Sequence, residues 1–235
     1  MPDYKYKRVL LKLSGEAISG KDTIINFDFL DKIAKTLVSL SNDGIEIGVI
    51  IGAGNIWRGR SSGDMDRSTA DSMGMLGTVI NALAAKDAVL KAGGKAMVMT
   101  STFMEPYARR YAADPAREAL ANGTIVFFGG GTGNPYFSTD TAGILKANEI
   151  NAEVFLLAKN IDGIYDRDPN KDRNAVFFEE ISYSEMIARG LKGIDLAASA
   201  LGSEFGPDAF AFKLSDTEDI VKAVRGECRG TKIVK

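Results

Sequence analysis

The chain reads as an α/β protein: a mostly parallel central sheet with helices on both faces, a three-layer α/β/α sandwich. Three observations predict this. Short apolar runs alternate with segments of helical spacing along the whole length. Several of those runs end directly in glycine, as strands do where open α/β sheets bind ligands. The 235 residues contain no internal repeat, low-complexity tract or linker, so a single domain over 1–235 is the simplest organisation.

Val9-Leu10-Leu11-Lys12-Leu13 is the first strand and ends at Ser14-Gly15-Glu16. A lysine inside an apolar strand is costly to bury unless its ammonium meets an anion. Lys12 either snorkels to an edge or points at phosphate from the strand end. Residues 29–40 have helical spacing and stop at Asn42-Asp43-Gly44. Ile45 to Ile51 is a strand running into Gly52-Ala53-Gly54-Asn55, and Arg58 behind that turn offers a planar fork of donors. Arg60 to Arg67 reads as a polar loop. Thr69 to Lys91 reads as a long helix burying Met73, Met75, Leu76, Val79, Ile80, Leu83 and Leu90. Asp71 in its first turn complements the helix dipole or accepts from a ligand's hydroxyls.

Gly93-Gly94 ends that helix, and residues 95–100 form a strand. Residues 101–111, with Phe103, Tyr107, Arg109 and Arg110, carry no clear pattern. A short helix from Asp114-Pro115 to Leu120 leads to the strand Thr124-Ile125-Val126-Phe127. Residues 140–151 are helical, and Ala152 to Ala158 is a further strand ending at Lys159-Asn160. The following turn, with Asp162-Gly163-Ile164-Tyr165 and Asp168-Pro169, either holds a base and a ribose or is a surface turn. Residues 176–182 are extended, 183–189 and 196–201 helical, 210–214 a strand and 216–224 a helix. Thr231 to Val234 reads as an edge strand.

The stretch from Phe128 to Ala142 organises the chain. A buried-type strand passes through Gly129-Gly130-Gly131-Thr132-Gly133-Asn134-Pro135-Tyr136-Phe137 to a helix capped by Ser138, Thr139 and Asp140. Backbone N–H groups and the positive end of a helix favour an anion there, most often phosphate. The alternative is a flexible loop with ordinary capping.

Composition narrows the chemistry. Hydrophobic content of 45% and charged content of 26% are ordinary for a globular protein, and a net charge of −2 supports neither a nucleic-acid nor a membrane-surface role. With no histidine, Ser-His-Asp triads and histidine metal sites are excluded. One cysteine, Cys228, allows no internal disulfide and no cysteine zinc cluster. A signal peptide and a run of about 18 apolar residues are both lacking, so a cytoplasmic location is expected. What remains is lysine, arginine, carboxylates, hydroxyls and backbone. That inventory suits phosphoryl transfer, which asks for positioning and charge neutralisation. Two common nucleotide motifs are absent: Gly93-Gly94-Lys95 is followed by Ala96, not Ser or Thr, and Gly52-Ala53-Gly54 has Trp57 at its third position.

Four motifs in order then carry a resemblance: Lys12 to Glu16, Gly52 to Asn55 with Arg58-Gly59, Asp71 to Met75, and Gly131 to Asp140. Asp162 to Tyr165, Asp168-Pro169 and Ile194 to Ala197 agree. The chain from about residue 7 onward resembles the bacterial uridylate kinases of the amino acid kinase superfamily, whose fold is carbamate kinase-like. The resemblance implies ATP-dependent phosphorylation of UMP to UDP with Mg²⁺. It implies a single domain whose residues up to about 150 serve mainly UMP and whose remainder serves mainly the ATP nucleoside. It places Lys12, Leu13, Ser14, Gly15, Gly54 and Arg58 by the donor phosphates, and Lys159 or Asn160, Tyr165 and Asp168 in the ATP nucleoside pocket, with Asp195 near it. Ala53, Asp71 and residues Thr132, Gly133, Asn134, Pro135, Tyr136, Phe137, Ser138 and Thr139 fall to UMP. Asp140 would hold Lys12 or Mg²⁺ in register, so that Lys12, Arg58 and Asp140 form the catalytic set. A homohexamer arranged as a trimer of dimers, inhibited by UTP and activated by GTP, is also implied. Ala53 departs from the family, which has glycine there. Other kinases of the superfamily, acting on an acylated amino acid, aspartate or carbamate, and a silent nucleotide sensor are the alternative readings.

Overall fold

The computed structural model describes residues 3–58 and 63–235. Gly59 of the second motif and part of the loop read over Arg60 to Arg67 lie outside the described residues. In chain order the elements are β1 (Arg8–Leu13), a 3-10 turn (Gly15–Ile18), α1 (Phe27–Asn42), β2 (Glu46–Ile51), α2 (Arg67–Lys91), β3 (Lys95–Thr100) and β4 (Arg109–Arg110). They continue with α3 (Ala113–Ala121), β5 (Thr124–Gly129), α4 (Thr139–Glu149), β6 (Val154–Lys159), β7 (Ile164–Tyr165), β8 (Phe177–Phe178) and β9 (Glu180–Ser182). The last are α5 (Tyr183–Arg189), α6 (Leu196–Glu204), β10 (Ala209–Lys213), α7 (Glu218–Arg225) and β11 (Gly230–Val234).

Nine strands form one sheet in the order β4-β3-β5-β2-β1-β6-β10-β11-β9. Every adjacent pair is parallel except β10 with β11. β1 lies at the middle, Lys12 opposite Ile50 of β2 and Leu157 of β6. Side chains along a strand alternate between faces. Val9, Leu11 and Leu13 join the core under α1, α2 and α7. Leu10 joins the core under α3, α4, α5 and α6. Lys12 shares the face of Leu10, so it points toward the layer that contains α4. The α/β/α expectation holds, with few shifts beyond a residue or two at element ends.

Two expectations are corrected. β11 is not an edge strand: it lies between β10 and β9, and β9 is the edge. α2 buries a different stripe from the one its large side chains suggested. Of the expected residues Val79 is buried and Met75 and Leu83 are half-buried, but Met73, Leu76, Ile80 and Leu90 are exposed, and Ala70, Gly77, Ala82, Ala85, Ala88 and Val89 are buried instead. Small residues let the helix approach the sheet closely, and a Cβ at Gly129 of β5 would stand only 3.0 Å from Val79 Cγ2. α2 is long and apolar enough to cross a membrane by length and composition. Its buried face against β3 and β5, and the polar Asp71, Asn81 and Asp87 along it, make it a core helix.

Candidate active site

The C-terminal ends of β1 and β2 are locked together through backbone. Gly52 N–H donates to the Leu13 carbonyl at 2.9 Å. A Cβ at Gly15 would lie 2.3 Å from Asn55 Oδ1 and 2.5 Å from the Gly52 carbonyl, so only glycine fits between the two turns. Ser14 caps the 3-10 turn by accepting from Ala17 N–H at 3.1 Å. The Leu13 side chain is fully buried, so Leu13 offers the site only its backbone. Arg58 is exposed and pairs with Glu16, which ties the turn after β2 to the turn after β1.

The same corner receives the start of α4. A Cβ at Gly52 would meet Gly15 N at 3.5 Å and Thr139 Oγ1 at 3.7 Å. Ser138 caps α4 by accepting from Asp140 N–H at 2.9 Å, and Asp195 accepts from the hydroxyls of Ser138 and Thr141. Asp195 also caps α6 by accepting from Ala198 N–H at 2.9 Å, so it joins α4 to α6. It is not among the residues lining the larger cavity described below.

Asp140, the second residue of α4, then meets Lys12: Nζ and Oδ1 are 2.7 Å apart, with each side chain 15% exposed. Burial by itself raises the Asp140 carboxyl, but the attraction of Lys12 and of Lys159 outweighs it and holds the group below the usual carboxylate range. Burial pushes the Lys159 amine down; Asp140 opposes that shift and Lys12 adds to it. Lys12 pairs directly with this buried carboxylate, and Lys159 from the neighbouring strand end acts on it by charge alone. The cluster holds an excess of positive charge, which a phosphoryl group would neutralise.

Two cavities flank this cluster. The larger, about 500 Å³, is lined by Lys159, Gly163 to Pro169, Arg189, Leu191 and Gly193 among others. Tyr165 and Asp168 are among its lining residues, while Asn160 is exposed and is not. The smaller, about 160 Å³, is lined by Ala53, Ala70, Asp71, Gly74, Met75, Thr78, Gly131, Phe137, Ser138 and Thr139. Asp71 accepts from Tyr136 N–H and from Arg67 Nε, both at 2.8 Å. Tyr136 has a left-handed backbone (φ 71°), which the Asp71 carboxylate helps to hold. Thr132, Gly133, Asn134, Pro135 and Tyr136 form the glycine-rich loop beside this cavity without being among its lining residues.

Sequence reasoning missed the supports. Buried Asn81 of α2 donates to the Gly52 carbonyl at 2.8 Å and exchanges amide hydrogen bonds with Asn55 at 2.8 and 3.0 Å. Buried Thr78 accepts from Gly130 N–H at 2.9 Å. An asparagine inside Val79-Ile80-Asn81-Ala82-Leu83 is the signal that could have found the first.

Paired glycine turns at adjacent parallel strand ends, with a lysine and a helix-borne carboxylate between two cavities, define a small-molecule kinase site without a P-loop. The chain belongs to the amino acid kinase family, whose model matches residues 7–214. Among solved structures it is similar to the UMP kinase of Bacillus anthracis, at 34% identity with a TM-score of 0.92, covering 97% of this chain and 96% of that one. It is equally similar in fold to the UMP kinase of Ureaplasma parvum, at 31% identity and TM-score 0.92 over 98% and 100% of the two chains. The uridylate kinase of Archaeoglobus fulgidus follows at 27% identity and TM-score 0.72, over 96% of this chain and 99% of that one.

Proposed function

We propose that the chain is a UMP kinase that transfers the γ-phosphoryl group of ATP to UMP, giving UDP and ADP, in pyrimidine nucleotide biosynthesis. One observation carries this reading: the Lys12–Asp140–Lys159 cluster stands between a larger cavity that Lys159 lines and a smaller one lined by Ser138 and Thr139, next to Asp140. Identity of 34% with a UMP kinase over nearly the full length supports it.

The acceptor is a phosphate oxygen. It is mostly ionised at neutral pH, because the second phosphate pKa is about 6. It attacks the γ-phosphorus in line as the bond to the β–γ bridging oxygen breaks, and no general base is required. The lack of histidine is therefore no obstacle. Lys12 and Lys159 neutralise charge on the moving group, and Asp140 holds the Lys12 amine in place. Amides of Gly15 and Gly54, with Ser14, the Leu13 backbone and Arg58, face the donor phosphates. Lys159 rather than Asn160 is our assignment at the donor pocket, with Tyr165 and Asp168 beside the nucleoside. Asp71 takes the ribose hydroxyls of UMP, and Ala53 and Thr132 to Thr139 surround its base and phosphate. The two halves of the single domain, up to about residue 150 and beyond, serve acceptor and donor respectively.

Mg²⁺ bound with ATP supplies further neutralisation of the β- and γ-phosphates. The residues fit that mode. Asp140 is the carboxylate of the buried cluster and is the residue that would meet such an ion. Magnesium typically takes one or two protein carboxylates together with substrate phosphates and water.

A homohexamer built as a trimer of dimers is our expectation for the assembly, supported by the exposed stripe Met73, Leu76 and Ile80 on α2. Inhibition by UTP, activation by GTP and a cytoplasmic location rest on the resemblance, and initial rates with each nucleotide test the first two. A coupled ADP-release assay across UMP, CMP, N-acetylglutamate and carbamate tests the function, with turnover of UMP expected. Turnover of N-acetylglutamate or carbamate alone would move the chain to another activity of its family. Binding of ATP and UMP without turnover would make it a sensor.

A further inference from the structure

We propose that Thr231 is a positioning residue for the donor nucleotide: its hydroxyl staples the β7–β8 hairpin to the main sheet and so sets one wall of the larger cavity. The proposal rests on reading that cavity as the donor site.

The hairpin is small. Each strand has two residues, with Ile164 opposite Phe178 and Tyr165 opposite Phe177, and it forms a sheet of its own. A two-stranded hairpin is marginal in water without further packing. Yet Gly163, Ile164 and Tyr165 line the cavity, so their placement decides its shape.

Thr231 supplies the anchor. It is fully buried on β11. Its Oγ1 accepts from Ile164 N–H at 2.8 Å and donates to the Phe178 carbonyl at 2.5 Å. Ile164 and Phe178 are register partners, so the hydroxyl bridges backbone groups of both hairpin strands to the nine-stranded sheet. The approach is close: a Cβ at Gly163, whose φ is 157°, would lie 2.5 Å from that same oxygen. Arg229, at the same end of β11, reinforces the joint by pairing with Asp162 at 3.2 Å, and Asp162 accepts from the Tyr165 hydroxyl at 2.7 Å.

Strand direction explains why a residue so late in the chain reaches the site. β11 runs antiparallel to β10, with Gly230 opposite Phe212 and Thr231 opposite Ala211. Its beginning therefore lies at the sheet edge where the parallel strands end. No sequence motif marks Thr231, because its role is set by topology.

Thr231→Val keeps the shape and removes the hydroxyl. Ile164 N–H and the Phe178 carbonyl then lose their shared partner, and the hairpin is free to close on itself away from β11. ATP affinity is read by titration calorimetry, independently of the acceptor, and KM for ATP and for UMP by initial rates. Thr231→Val is expected to weaken ATP binding and raise KM for ATP about tenfold, with KM for UMP and kcat within about twofold. Thr231→Ser, which retains the oxygen, restores ATP binding to near the parent value. Gly163→Ala, which pushes the hairpin off the same hydroxyl, produces the same selective loss and decides the matter if Thr231→Val does not fold. Unchanged ATP affinity in Thr231→Val or in Gly163→Ala, or equal rises in both KM values, would overturn the proposal. A parent protein that binds ATP but leaves UMP unphosphorylated would refute the proposed function and leave this test standing.

Discussion

Lys12 Nζ lies 2.7 Å from Asp140 Oδ1, although one belongs to the central strand and the other to the first turn of α4. The pair is neither a surface ion pair nor a sealed one. Each side chain is 15% exposed. Lys159 stands close enough to perturb Asp140, so removing the carboxylate leaves two amines in mutual repulsion.

Asp140→Ala and Lys12→Ala should lose turnover, and circular dichroism checks that each variant still folds despite the unpaired charge. We expect kcat to fall by about a hundredfold or more in each, with KM for UMP changed far less. Steady-state kinetics with varied UMP checks this, and turnover near the parent level would remove both residues from the mechanism.

The pH dependence follows from Lys159. Its amine titrates below the ordinary lysine range because it is buried, and the neutral amine above that pKa no longer offsets phosphate charge. The rate should fall on the alkaline side at a lower pH than a free lysine would give. In Lys159→Arg, whose guanidinium keeps its proton, that alkaline limb should vanish from the pH profile of kcat/KM for ATP. The stability term of Asp140 has the opposite placement. Its depressed carboxyl stabilises the fold above the unfolded value near 3.8, and that contribution is lost as pH falls through its lower folded pKa.

Asn81 tests the support beneath the second glycine turn. Asn81→Leu leaves the Gly52 carbonyl and the Asn55 amide without their buried partner, at a cost of roughly 1–3 kcal/mol. Urea unfolding should show that loss, and kcat should drop with it, because the turn after β2 is what Gly15 packs against.

The exposed stripe of α2 tests the assembly. Leu76 and Ile80 are each 51% exposed, so charging them should leave the protomer folded. Leu76→Glu with Ile80→Glu should shift sedimentation from the assembled species to a smaller one. An unchanged sedimentation coefficient would show that this face is not an interface.

Much of this was legible in the chain. The continuous apolar run of Val9 to Leu13 marked Lys12 as a charge inside a buried strand, and the glycines after β2 and β5 marked strand ends. Helix α2 was misread because it carries two stripes at helical spacing, one of small residues and one of large. Size suggested that the large ones are buried, whereas close packing on the sheet selected the small ones. β11 was misread because nothing local tells a strand whether another will lie outside it. Asn81 and Thr231 escaped notice for a shared reason: each bonds to backbone far away in the chain, and backbone carries no residue-type signal.

The reversed direction of β11 has a consequence for synthesis. A chain leaving the ribosome from its N-terminus can pair β1, β2, β5 and β3 while the later strands do not yet exist. The hairpin beside the larger cavity must wait for Thr231 to emerge before it is fastened. The smaller cavity, lined by residues between Ala53 and Thr139, thus has all its walls made well before the larger one gains its fastening, which comes only when β11 threads between β10 and β9.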